Sequence, residues 1–338
     1  MKVVVIGAGV VGLSTAVCIQ ETYANCDVTV MSEKFPPEDI VSLVAGGVIL
    51  GTIDPSANKD TQIKVMCDTS RHFLKLSADD RYQIHGVMKV DGVYAKITPT
   101  YGQQLSDAER PISSRVFGKA VLLSGWHVKS VCVDTRRYLP YLLNKFHRNG
   151  GHIRRCKVHS FSQVAQEYDV IINCTGLGSR ELARDSNMYP VKGQLLRMET
   201  EGKVTNFNYF IDLFKKTENS HTSFYFLPHG NEVVVGGSYI KDVEDRNVDA
   251  DLSRELEAMA RQLHPGMKKA EILQEYTGIR PLRRGGIRIE KEFKCLEGKT
   301  IPIIHNYGHG GYGVGGSWGS ALQVAELLAP EIQKKSKL

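Results

Sequence analysis

The opening stretch limits what this chain can fold into more than any other feature. Val3-Val4-Val5-Ile6 is an unbroken β-branched run, the pattern of a strand buried on both faces of a parallel sheet. It leads directly into Gly7-Ala8-Gly9-Val10-Val11-Gly12, and then into Leu13-Ser14-Thr15-Ala16-Val17-Cys18-Ile19, whose apolar residues fall at helical spacing. Glycines placed between a strand and a helix form a nucleotide-binding turn. Gly7 permits the tight turn, Gly9 lets a pyrophosphate reach the backbone, and Gly12 lets the helix pack closely on the strand, while unpaired N–H groups at the helix start face the anion. A second apolar strand, Val28-Thr29-Val30-Met31, runs on to Glu33 and Lys34. Glu33, about 20 residues beyond the glycines, stands where an acidic side chain accepts hydrogen bonds from a ribose diol. The motif holds the adenosine half of NAD and of FAD alike.

With 338 residues, 42% of them hydrophobic and 24% charged, the chain has room for two domains or one large α/β body. Its net charge of +6 is spread along the sequence, so no nucleic acid partner is implied. No run approaches the roughly 20 apolar residues that cross a bilayer, so no membrane partner is expected either. Seven cysteines, widely spaced and without a C-x-x-C pair, indicate neither a disulfide framework nor a zinc site. His305 and His309 have no carboxylate or cysteine beside them to complete a ligand set, so no metal is expected. No H-E-x-x-H motif occurs, so a zinc hydrolase reading has no support. Ser336-Lys337-Leu338 matches the tripeptide read by the peroxisomal import receptor, which predicts that partner and a peroxisomal location.

Later segments separate the two cofactors. Val170-Ile171-Ile172-Asn173 is another buried strand and ends in Cys174-Thr175-Gly176, a small-residue turn of the kind flavoproteins close over FAD. Near the end, Gly308, Gly310, Gly311, Gly313, Gly315, Gly316 and Gly319 crowd one loop, and Ala321–Leu328 follows as an amphipathic helix before Pro330. Such a loop brings backbone amides against a planar or anionic ligand. Arg280 precedes Pro281, so its backbone is biased to extended geometry and its guanidinium suits bidentate capture of a carboxylate. Ser223–Leu227 and Glu232–Gly237 read as a β-hairpin that offers the Tyr225 hydroxyl to the same carboxylate. The predicted fold is therefore α/β, with a Rossmann-like, doubly wound nucleotide-binding domain (1–55, 140–189 and 287–338) interleaved with a mostly antiparallel β substrate domain (56–139 and 190–286).

Taken together, Val3–Ala16, Asn173-Cys174-Thr175-Gly176, Thr277-Gly278-Ile279-Arg280-Pro281 and His305-Asn306-Tyr307-Gly308-His309-Gly310-Gly311-Tyr312-Gly313, with Trp318-Gly319 behind, resemble the D-amino-acid oxidase and D-aspartate oxidase family. The resemblance implies non-covalent FAD and oxidation of a D-amino acid by oxygen, yielding hydrogen peroxide, ammonia and a 2-oxo acid. It implies that Arg280 and Tyr225 bind the substrate carboxylate, that the Gly311 carbonyl accepts from the amino group, and that His221 stands where a lid tyrosine is expected. For FAD it implies Gly7, Ala8, Gly9, Val10, Val11, Gly12, Glu33, Lys34, Ser42, Gly46, Gly47, Val158, Thr175, Gly176, Gly310, Gly311, Tyr312 and Gly313. It also allows a homodimer.

Four departures accompany the resemblance. Leu50 replaces a glutamine near the flavin, Gly315 lacks an expected hydroxyl, Ser238 follows Gly236-Gly237 where D-aspartate oxidases carry arginine, and one extra residue lies between Arg280 and Arg288. Ser238, and Asp212 near the other expected arginine, favour neutral D-amino acids. Lys215, Lys216, His221 and Arg283 keep acidic substrates as the alternative, and a catalytically silent flavin-binding protein is the alternative of another class.

Overall fold

The computed structural model describes residues 1–50, 58–98, 112–114, 121–200, 204–217 and 220–336. It begins with β1 (Lys2–Ile6), α1 (Val10–Thr22) and β2 (Asp27–Ser32). There follow α2 (Lys59–Leu76), α3 (Tyr82–His85), β3 (Val87–Thr98), β4 (Ile112–Ser114) and β5 (Val121–Val133). Next come α4 (Thr135–Arg148), β6 (His152–Arg155), α5 (Ser162–Ala165), β7 (Val170–Asn173) and α6 (Ser179–Leu182). Strands β8 (Met188–Glu199), β9 (Asn206–Thr217), β10 (Ser220–His229) and β11 (Glu232–Lys241) precede α7 (Ala250–Leu263). The last elements are β12 (Ile272–Arg283), β13 (Arg288–Leu296), β14 (Lys299–Tyr307) and α8 (Gly313–Lys335).

Two sheets organise these elements. The first runs β13-β14-β7-β1-β2-β6, parallel from β14 to β6, with β13 antiparallel at its edge. Val3, Val4 and Val5 are fully buried at its centre because helices cover both faces. One face packs against α1, α4 and α8 through Leu13, Tyr138, Phe146 and Ala321. The other packs against Phe161, Val164 and Tyr168 around α5. The second sheet runs β12-β8-β11-β10-β9-β3-β5-β4 and is antiparallel except where β3 pairs with β9. Helix α7 covers part of it, burying Leu252, Leu256 and Met259 against Leu196, Phe224 and Val235.

Two elements differ from the sequence reading. Helix α8 starts at Gly313, inside the expected glycine loop, and continues through Pro330. Two glycines of its first turns act as helix-packing residues, since a Cβ on Gly319 would lie 2.0 Å from the Val65 carbonyl of α2 and one on Gly316 would lie 3.3 Å from Val65 Cγ1. Gly319 N also donates to Thr69 Oγ1 at 2.8 Å. Around Pro330 the helix is held from outside, where Lys291 Nζ donates to the Leu327 carbonyl (3.2 Å) and to Glu331 Oε1 (2.8 Å). This crossing also places α2 against α8 of the parallel-sheet body, although its residues fall within the 56–139 segment expected in the other unit, and Phe73 is buried in that body's core.

Candidate active site

A cavity of about 470 Å³ opens beyond the carboxyl ends of β1, β2, β7 and β14 and extends beneath the second sheet to Tyr225 on β10 and Arg280 on β12. In this sheet β2 lies on one side of β1 and β7, entered after β6, on the other, and the crevice at such a change of strand order is the usual ligand position in an open α/β sheet.

At this end the predicted glycines are cradle residues. Gly7 has φ 112°, and a Cβ there would lie 2.4 Å from the Cys174 carbonyl. A Cβ on Gly12 would lie 2.0 Å from the Gly7 carbonyl, so Gly12 serves helix–strand packing beneath the cavity. Ser42 reaches in from a neighbouring 3₁₀ turn, and its Oγ accepts from Val10 N at 3.1 Å. The Val11 and Gly12 amides have no acceptor among the described residues, leaving two donors at the start of α1 for an anion. Gly7, Ala8, Gly9, Val10, Val11, Ser42, Gly46, Gly47, Thr175 and Gly176 line this cavity. So do Gly310, Gly311, Tyr312 and Gly313 at the start of α8, together with Leu50 and Gly315. Thr175 Oγ1 donates to Asn173 Oδ1 at 2.7 Å, which fixes the small-residue turn after β7.

Besides Gly12, which packs beneath it, three predicted cofactor residues do not line it. Ser32 does, whereas the next residue, Glu33, is exposed. Lys34 points away to Asp39 at 3.5 Å. Val158 packs against the apolar cluster around Phe161 on the far face of the parallel sheet.

At the inner end Arg280, Tyr225 and Gly311 come together. Arg280 Nη1 donates to the Ser238 carbonyl at 2.9 Å, and the guanidinium is hydrogen-bonded to the Tyr225 hydroxyl. A Cβ on Gly311 would lie 3.9 Å from Arg280 Cδ, so Gly311 sits beside the arginine stem. Burial raises the Tyr225 pKa and the Arg280 charge opposes that rise; it stays above the ordinary value, so at neutral pH Tyr225 is a phenol able to donate. Arg280 is the only lysine or arginine among the described lining residues, and none of those residues is an aspartate or glutamate.

The glycines that make this geometry possible were not singled out from sequence. A Cβ on Gly193 would lie 2.2 Å from Arg280 Nη1, so the guanidinium occupies the space a side chain would take. A Cβ on Gly236 would lie 2.2 Å from Tyr225 Cζ, and one on Gly237 would lie 2.7 Å from the Tyr225 hydroxyl. Glycine inside a strand marks a close approach of this kind, and that signal was present in the sequence.

Other predicted participants are engaged elsewhere. Arg283 Nε donates to Asp185 Oδ2 (2.7 Å), which also accepts from the Tyr307 hydroxyl (2.8 Å). Burial works against the charged Asp185, but the hydrogen bonds from Arg283 and Tyr307 outweigh it and hold its pKa below the carboxylate range. His305 Nε2 lies 3.0 Å from Glu292 Oε1, and His309 Nε2 lies 3.1 Å from Ser320 Oγ. Ser238 Oγ accepts from Gln194 N at 3.0 Å. His221 lies on β10 opposite Tyr239 and Lys215, but its side chain, like those of Asp212, Lys215 and Lys216, is outside the described residues. Lys337 and Leu338 also lie outside them.

The donors free at α1, the turn after β7 and the α8 N-terminus are spaced along one cavity lined by glycine and small apolar residues, so the residues present fit FAD. Their order matches a phosphate-bearing end at β1 and a ring end near Arg280 and Gly311. The model of the family described as FAD dependent oxidoreductase (DAO) matches residues 2–327. Human D-aspartate oxidase is 31% identical over 97% of this chain and 94% of its own length. A D-amino acid oxidase from Dugesia ryukyuensis is 29% identical over the full length of both. Among solved structures, glycine oxidase from Bacillus cereus ATCC 14579 superposes with a TM-score of 0.71 at 17% identity, over 98% of this chain and 95% of its own. On fold, cavity and these likenesses, the chain belongs to the DAO family of FAD dependent oxidoreductases.

Proposed function

We propose that this protein oxidatively deaminates D-amino acids, with oxygen as the terminal acceptor. The observation that carries this reading is the pairing of Arg280 with Tyr225 beside Gly311, at the end of a cavity whose other end is a dinucleotide cradle. FAD, when bound, supplies the acceptor for the Cα hydrogen and its electron pair and passes the electrons to oxygen, giving hydrogen peroxide. The protein's own share is positioning. Arg280 and Tyr225 hold the carboxylate in a charge-assisted fork, and the Gly311 carbonyl accepts an amino N–H. Two anchored groups leave the Cα hydrogen one direction in which to point, which selects the hand of the substrate. The scheme requires no carboxylate base, in keeping with the lining residues described. The imino acid released hydrolyses to the 2-oxo acid and ammonia.

Within that class we favour neutral side chains. Arg280 is the sole described lysine or arginine of the lining and is committed to the carboxylate, Arg283 is held by Asp185, and Ser238 stands in place of an arginine. The second reading, an acidic substrate, draws support from the likeness to human D-aspartate oxidase and to D-aspartate oxidase 1 of Caenorhabditis elegans, 30% identical over 97% of this chain. The test is anaerobic bleaching of the FAD-loaded protein near 450 nm with D-alanine, D-proline, D-aspartate, D-glutamate and L-alanine. Bleaching by the neutral D-isomers is expected. Bleaching by D-aspartate alone would transfer the assignment to the second reading, and no bleaching by any D-isomer would refute the oxidase. We also propose peroxisomal delivery through Ser336-Lys337-Leu338, for which the test is loss of peroxisomal import on deleting the tripeptide.

A further inference from the structure

Behind the cavity wall lies a buried charged cluster that the proposed chemistry does not use. Asp134, at the N-terminus of α4, is only 2% exposed, and its Oδ1 lies 3.6 Å from Nδ1 of the fully buried His229 side chain and 3.9 Å from Arg197 Nη2. Arg197 in turn donates to Glu232 Oε2 at 3.0 Å, and Arg136 binds the same carboxylate. Burial opposes the charge on Asp134, but the His229 hydrogen bond and the charges of His229, Arg197 and Arg136 prevail and hold its pKa below the carboxylate range. Burying Asp134, His229 and Arg197 together, with Glu232 and Arg136 at the half-exposed edge, is costly and adds little stability by itself, so the cluster calls for a positional role.

The other ring nitrogen of His229 supplies one. Its Nε2 lies 2.9 Å from the Gly46 carbonyl, and Gly46 lines the cavity. In a trans peptide the carbonyl of one residue and the N–H of the next point in opposite directions. A Gly46 carbonyl turned to His229 therefore turns the Gly47 N–H away from it. Gly47 also lines the cavity, and its amide has no acceptor among the described residues. The loop is gripped on the same side, where the Gly47 carbonyl accepts from Val133 N at 3.0 Å, next to Asp134. Gly47 has φ 77°, and a Cβ there would lie 2.0 Å from the Val133 carbonyl, so only glycine fits.

We propose that His229, oriented by Asp134 and Arg197, is a positioning residue that fixes the Gly46–Gly47 peptide so that the Gly47 amide donates into the FAD cavity. This rests on the reading that FAD occupies that cavity. A fixed donor there stabilises electron density arriving on the polar edge of the flavin, and it holds Gly46 against Tyr225, since a Cβ on Gly46 would lie 3.3 Å from Tyr225 Cε2.

The test compares His229→Gln with His229→Asn in the full-length protein. Both are polar and suit the buried charges, but only the glutamine amide reaches the Nε2 position and donates to the Gly46 carbonyl. FAD affinity is measured by titrating apoprotein, and the flavin midpoint potential is measured by reductive titration. His229→Asn is expected to weaken FAD binding about tenfold or more and to lower the potential, whereas His229→Gln stays within about twofold of the parent affinity. Equal behaviour of the two variants, or a parent-like His229→Asn, would overturn the proposal. If His229→Asn shows no cooperative melting, Glu232→Gln at the edge of the cluster is measured instead. It is expected to weaken FAD binding about threefold, and an unchanged affinity would overturn the proposal. A parent protein that binds no FAD would instead refute the functional reading beneath it.

Discussion

Gly193→Ala adds a single methyl beneath Arg280. Its Cβ would lie 2.2 Å from Nη1 and 2.4 Å from Cζ, where ordinary contact begins at 3.4 Å, so the guanidinium must retreat by about 1.2 Å. The Nη1 bond to the Ser238 carbonyl, now 2.9 Å, then passes beyond hydrogen-bond range. The displaced atoms end a flexible side chain, so the fold yields cheaply. Losing one charge-assisted hydrogen bond costs about 1.5–3 kcal/mol, while alanine in place of glycine returns about 0.4–1 kcal/mol by restricting the unfolded chain. The expected Tm is therefore about 5 °C lower. Catalysis is less tolerant, because a misplacement of about 1 Å in a positioning group can cost about 10²-fold. We expect kcat/KM for D-alanine, followed by oxygen uptake, to fall about 100-fold in a protein that still folds and retains FAD. A value within threefold of the parent would refute the argument that Gly193 sets the guanidinium. A Tm more than about 15 °C lower would refute the argument that Arg280 absorbs the clash.

Three further outcomes are expected. Arg283→Met strands Asp185 and lowers stability by about 1–3 kcal/mol, read by denaturant titration, but because Arg283 is spent on Asp185 the D-alanine to D-aspartate ratio of kcat/KM shifts less than about twofold. Gly12→Val drives a side chain into the Gly7 carbonyl, 2.0 Å from the Cβ position, and the purified variant is expected to lose its yellow colour. Burial pushes His72 down to about 3, with Lys145 and Lys75 adding to the effect, and burial pushes His309 down to about 4. Both folded values lie below the ordinary 6.5, so between pH 6.5 and 4 the unfolded chain takes up protons that the folded chain does not. Stability present above pH 6.5 is then lost by a few kcal/mol as the pH falls, seen as a declining Tm, and His72→Phe, which keeps the 3.7 Å stack on Trp318, flattens that slope.

Much of the cofactor half was legible in the sequence. The β-branched run and Gly7-Ala8-Gly9-Val10-Val11-Gly12 announce a buried strand, a tight turn and a helix start, and all three are local consequences of backbone sterics. Cys174-Thr175-Gly176 was legible for the same reason. Gly316 and Gly319 read as loop in the sequence because glycine disfavours helix in isolation, and a tertiary contact overrides that preference where α2 and α8 touch. Lys34 and Val158 could not be sorted from local pattern, because whether a residue after a strand faces a cavity or a neighbouring side chain depends on what packs beside it.

The sequence by itself determined that this chain builds a parallel nucleotide-binding sheet and that Arg280 suits a carboxylate, since strand patterning, glycine torsions and guanidinium chemistry are properties of residues and their near neighbours. Only the tertiary structure decided that Gly193, Gly236 and Gly237 make room for Arg280 and Tyr225, that Asp185 takes Arg283 out of contention, and that His229 grips the Gly46 carbonyl across 183 positions of chain. The glycine contacts join strands brought side by side by sheet pairing, whose register is set by the packing of the whole sheet, and the other two join a strand to a distant loop; local sequence contains neither.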